Sequence, residues 1–190
     1  AVRRGHRLGL HGSRHRGSWR RPTVDPDGLA QAADLLREYA GRPPATHRAP
    51  NFRLRERDVP VLERLGLRVD SSILPGLRFV RARGTLLLKS YEGAPRTPYR
   101  LSPENVARPG DSRVLEVPVT ENPRFPSAPL GLGYLNTFGL DATRRAAAEV
   151  REPYVTFLLH TWEATDLGKA HPSLPEYVRK ECSSDLEPLA

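Results

Sequence analysis

The run "DVPVLERLGLRVDSSILPG", residues 58–76, decides the fold class, because it passes from helix to strand with one clear stop between them. Asp58 stands where a side-chain oxygen caps the first free N–H groups of a helix, and Gly66 ends that helix. "LRVDSSILPG" then reads as a strand followed by a turn. Upstream, "RPPATHRAPNF" is a short extended segment bracketed by prolines. Before it, "DPDGLAQAADLLREYAG" predicts another helix, with Asp25 as cap and Pro26 just inside. Leu29, Ala32, Leu36 and Tyr39 recur there at helical spacing, and Gly41 closes the segment. The first strand runs from Arg7 to Leu10, with Leu8 and Leu10 on one face, and leads into His11.

Downstream, Phe79 to Ser90 reads as a hairpin or two short strands about Arg83 and Gly84. The Pro-rich stretch from Ala94 to Pro109 reads as a long loop, and "RVLEVPVT" as a further strand. Asp141 then caps "DATRRAAAEVRE", "PYVTFLLH" is the last strong strand, and Ser173 to Cys182 forms a terminal helix. Strands alternating with helices predict a parallel α/β fold. Polar groups stand just past several strand ends: His11 and His15, Arg48, Asp70 and His160. In α/β barrels that rim is where active sites are assembled.

Bulk properties bound the function. A chain of 190 residues can bury a substantial core as one domain. No apolar run approaches the ~20 residues that span a bilayer, and the longest, Tyr154 to Leu159, is strand-sized. The net charge of +8 is carried by arginine, since Lys89, Lys169 and Lys180 are the only lysines. Residues 1–24 hold seven arginines and no acid, which would suit a nucleic acid or an anionic polymer. Aromatic content of 7% supplies no stacking ladder, and no nucleic-acid motif is present, so the run reads as a solvated basic face. The single cysteine, Cys182, excludes an internal disulfide and a Cys-based zinc site. With no methionine and no leader pattern, the N-terminus is expected to be processed, trimmed or missing.

Each strand-end residue has an ordinary role when taken alone. An H-x-x-x-H pair recurs by chance, a surface arginine bridges acids, and an aspartate caps its own turn. Taken in order, "RRGHRLGLHGSRH", "HRAPNF", "LGLRVDSSILP", "LEVPV" and "VTFLLHTWE" resemble the polysaccharide deacetylase family of carbohydrate esterases. The resemblance covers residues 1 to about 167.

The resemblance implies a (β/α) barrel, here incomplete, spanning 1–190 as one catalytic domain with a helical extension over 168–190. It implies a divalent metal, zinc above all, on His11 and His15, although Gly12 stands where the family has Ser or Thr. Arg48, in the R-x-P motif, would orient the catalytic base, and the backbone amide of Asn51 would bind an oxyanion. His160, in the L-x-H motif, would be the general acid, and Trp162 would line the sugar groove. An acid paired with that histidine falls on Asp70 or Glu116. The family's opening Asp-Asp motif, which supplies the base and the third metal ligand, has no counterpart. The chain alone is therefore expected to be inactive.

The implied activity is removal of N-acetyl groups from a cell-wall or exported polysaccharide, with no nucleic-acid partner. The compartment implied is the envelope or outside. Two other expectations are an inactive glycan-binding relative and a basic nucleic-acid-binding domain.

Overall fold

The computed structural model describes residues 4–12, 25–77, 91–166 and 170–181. The chain divides into two compact units, Ala1–Pro118 and Val119–Ala190.

The first unit is built on β1 (Leu10–His11), β2 (Thr46–Arg48), β3 (Val69–Asp70), β4 (Tyr99–Arg100) and β5 (Leu115–Glu116). They form one five-stranded sheet in the order β1-β2-β3-β5-β4. All neighbours are parallel except β4, which runs antiparallel to β5 at the edge. The class is thus mixed α/β, and among the described residues the sheet is open rather than closed into a barrel.

Helix α1 (Pro26–Ala40) links β1 to β2, and α2 (Val59–Arg64) links β2 to β3, as parallel neighbours require. Asp25, Pro26 and Gly41 bound α1 as the sequence predicts, with Gly41 at φ 69°. Tyr39, expected on the apolar face, is instead exposed, and Leu29 is the one residue of α1 fully buried. The Asp58 carboxylate accepts the N–H of Arg55 at 2.9 Å. It therefore closes a 3₁₀ turn over Glu56–Asp58 rather than capping α2 directly.

Strand β4 lies inside the stretch read from sequence as loop. Its identity comes from Tyr99, whose buried ring and hydroxyl bond to the Val106 carbonyl (2.6 Å) fix it against the sheet. Leu54, Val59, Leu62, Leu67, Ile73, Leu74, Leu101, Val106 and Val114 make the apolar core. The hairpin expected over residues 79–90 lies outside the described residues.

In the second unit, α3 (Leu132–Ala148) is interrupted at Gly139, whose φ of 82° no helix accepts. That break explains why the sequence after Asp141 reads as a helix of its own, although α3 already begins at Leu132. The terminal helix, α4, covers Glu176–Glu181 among the described residues and starts later than the expected Ser173. The expected strand "PYVTFLLH" bends at residues 153 and 154 and meets its neighbour through a single parallel bridge, Gly131 to Leu158. Leu158 donates to the Leu130 carbonyl (3.0 Å), and Leu132 donates to that of Leu158 (2.8 Å). Leu158 is buried with Leu130, Leu132 and Ala146, while Val155, Phe157 and Leu159 alternate outward and are exposed.

Candidate active-site clusters

Parallel register does most of the work in the first unit. It sets Leu10 beside His47, His47 beside Asp70, and Asp70 beside Glu116, so three polar residues form one row across three adjacent strands. His11 and Arg48 are register partners in the next row, where side chains leave by the other face.

His11 donates from Nδ1 to the Arg48 carbonyl at 2.7 Å. A carbonyl can only accept, so the neutral ring carries its proton on Nδ1 and its lone pair on Nε2. Arg48 is held in turn by Ser71, with Nε donating to the Ser71 carbonyl and Nη2 to its hydroxyl, both at 2.7 Å. The Ala49 N–H donates to Ser72 Oγ at 2.8 Å. The "DSS" run thus organises the "RAP" run. Burial draws the Arg48 guanidinium below its ordinary pKa, opposed by the charges of Asp70 and Glu116.

Beyond Pro50 the backbone turns sharply: Asn51 and Phe52 sit at φ 52° and 55°, left-handed values that side chains rarely adopt. Tyr91, fully buried, braces this turn with its hydroxyl against the carbonyls of Phe52 (2.7 Å) and Leu54 (2.8 Å).

The buried row is more elaborate than sequence suggested. His47 Nδ1 lies 2.5 Å from Asp70 Oδ2, with both side chains fully enclosed. Burial alone would raise Asp70, but the hydrogen bond and charge of His47, with bonds from Glu116 and Ser72, bring it below its usual value. Burial and the adjoining Asp70 push Glu116 strongly the other way, towards its protonated form. Protonated, Glu116 donates to Asp70, and this supplies Asp70 Oδ1 and Glu116 Oε2 with the partner they otherwise lack. Glu116 Oε1 accepts the Ile73 N–H at 2.9 Å. Of the two acids expected to pair with the acid histidine, Asp70 is bonded to His47 and Glu116 to Asp70. Nothing in "THRAP" marks His47 as special; its signal is the register that aligns it with Asp70.

Among the described residues no group of three His, Cys, Asp or Glu could hold a metal ion. His11 has the tautomer a ligand needs. His15, its expected companion, lies outside the described residues. Among the described residues His11 is thus the one member of the expected pair that can be placed.

The second unit holds another cluster. His160 leads into a 3₁₀ turn over Thr161–Ala164. Its ring stacks on Trp162, with centroids 4.2 Å apart and planes 16° from parallel. Trp162 is 45% exposed, so much of the indole faces solvent. Glu163, which is buried, accepts the His160 N–H on Oε2 at 2.6 Å, and the same oxygen lies 3.2 Å from His160 Nδ1. The sequence reading passed over Glu163, although its place three residues after an N-cap is a known signature.

No protein-family model matches the chain, and no curated protein matches it. Among solved structures, a Mycobacterium smegmatis protein assigned as a polysaccharide deacetylase is similar, with 21% sequence identity and a TM-score of 0.43. That match covers 90% of this chain and 46% of the other, so the chain spans about half of that structure's length.

Proposed function

We propose that the chain acts as a hydrolase of the polysaccharide deacetylase type, which removes N-acetyl groups from a cell-wall or exported polysaccharide. The observation that carries it is the His11–Arg48 pairing. The H-x-x-x-H and R-x-P runs are 37 residues apart, yet their key members are register partners at strand ends, joined by a 2.7 Å hydrogen bond. Shared ancestry with that family would require this proximity, and chance motifs would not.

In this proposal Arg48, fixed by Ser71, orients the group that activates water. The strained turn at Asn51 presents a backbone N–H to the developing oxyanion. His160 protonates the departing amine, and Trp162 packs against the sugar. A zinc ion on His11 and His15 belongs to the same proposal; when bound it would acidify water and polarise the acetyl carbonyl. The family's Asp-Asp motif, which supplies the base, has no counterpart in these residues.

The test is acetate release from N-acetylated oligosaccharides by the natural gene product. His160→Ala should lower kcat by about 10²- to 10⁴-fold with KM little changed. Undiminished turnover would remove His160 from the chemistry. Glycan binding without acetate release would favour an inactive binding module instead. For the metal, competition with a chromophoric chelator should show zinc affinity at least about tenfold weaker in His11→Ala. Equal affinity would place the metal elsewhere.

A further inference from the structure

We propose that Glu163 is a positioning residue that holds the His160 imidazole with its proton on Nδ1, so that Nε2 is the nitrogen offered to substrate. His160 Nδ1 is buried and has no well-formed hydrogen bond. Leaving such a nitrogen unsatisfied is costly, which favours closing a bond to the carboxylate oxygen beside it. That oxygen, Glu163 Oε2, lies 3.2 Å away. The competing arrangement would make Nδ1 an acceptor for the Glu163 N–H, as in a capped helix. The turn has that capping-box form, with the His160 side chain beside the Glu163 N–H, but the N–H also donates to the His160 carbonyl at 3.1 Å, so the ring competes for a donor in use while the carboxylate oxygen can only accept.

The carboxylate is itself held in a built seat. Oε2 takes the His160 N–H at 2.6 Å, and Asn136 donates from Nδ2 to the Glu163 carbonyl at 2.8 Å. On the other side, a Cβ at position 133 would come within 2.8 Å of Glu163 Oε1, so the glycine in the first turn of α3 makes the room. Trp162 covers one face of the imidazole. With that face stacked and the Nδ1 edge buried, the ring's 39% exposure falls on the remainder. A carboxylate on Nδ1–H fixes the tautomer and stabilises the imidazolium as Nε2 gains or gives up a proton, the logic of any oriented histidine. The catalytic meaning rests on the deacetylase proposal; the tautomer does not.

The experiment uses the chain labelled with ¹⁵N-histidine and long-range ¹H–¹⁵N correlation at alkaline pH, where neutral imidazoles reveal their tautomer. His160→Ala assigns the signals. The wild type should show a protonated Nδ1 and an unprotonated Nε2 for His160. Glu163→Ala should move the ring towards the Nε2–H form. Glu163→Gln, whose amide oxygen can still accept, should restore Nδ1–H. Gly133→Ala, which displaces only the end of a flexible side chain, should give an intermediate position and serves if Glu163→Ala does not fold. An Nε2–H ring in the wild type, or shifts indifferent to both Glu163→Ala and Gly133→Ala, overturns the proposal. In the natural enzyme, Glu163→Ala should lower kcat by roughly 10²-fold while sparing KM. Loss of the tautomer with kcat unchanged also overturns the positioning role. A Glu163-dependent tautomer in a protein that releases no acetate supports the seat and removes the deacetylase reaction.

Discussion

Glu116 and Asp70 show at the scale of single residues how two identical functional groups acquire opposite behaviour. Glu116 is raised by burial and by Asp70, whereas Asp70 is lowered by His47 and its other hydrogen-bond partners. The signs separate in a pH titration of stability. A carboxyl raised in the folded state stabilises fully below its unfolded value, and loses that contribution as pH climbs towards the folded one. A lowered carboxyl stabilises above its unfolded value and fails as pH falls through the folded one. Glu116→Gln, which keeps a donor for Asp70, should therefore flatten the alkaline decline seen by urea denaturation and leave the acid limb in place. Parallel curves for the two proteins would show that Glu116 is not held protonated. Of these residues, sequence exposed Asp70 and Arg48 through their strand-end positions. His47 and Glu163 stayed hidden, because one depends on cross-strand register and the other on a carboxylate folding back on its own turn.

Among the elements, α1, α2 and the strands β1, β2, β3 and β5 were legible, since caps, glycines and apolar spacing are local signals. Strand β4 was not, because "PYR" amid prolines and polar residues carries no alternation, and its pairing is a long-range fact. The start of α3 was obscured by Gly139 for the complementary reason: a local breaker lies inside a segment that packing keeps together. The turn over Asn51 and Phe52 depends on Tyr91 in the same long-range way. Tyr91→Phe should remove the one O–H that the two carbonyls share and cost about 1–3 kcal/mol. Amide exchange should quicken over residues 51–54 before it changes in α2, and uniform protection would contradict the bracing role. At Gly139 any β-carbon meets a backbone it disfavours, so Gly139→Ala should lower the thermal midpoint by an amount corresponding to about 1 kcal/mol or more. An unchanged midpoint would mean that the break relaxes.

At the scale of the whole molecule, the described residues contain no helix long and apolar enough to cross a membrane. The extended run ending at His160 leaves Val155, Phe157 and Leu159 exposed on one side. Such a side invites self-association. Phe157→Lys should reduce light scattering at high protein concentration without lowering the unfolding midpoint; equal scattering would show that this side is not the adhesive one. The sheet meets the opposite danger. Its parallel strands share only two aligned residues at each pairing, too few for backbone bonding alone to forbid a slip by one place. A slip of that kind would turn His47 away from Asp70 and strand a buried charge, a penalty of several kcal/mol. The His47–Asp70–Glu116 row therefore works as an alignment key: wrong pairings are rejected by the ions they would orphan, and very short strands can find one partnership during folding.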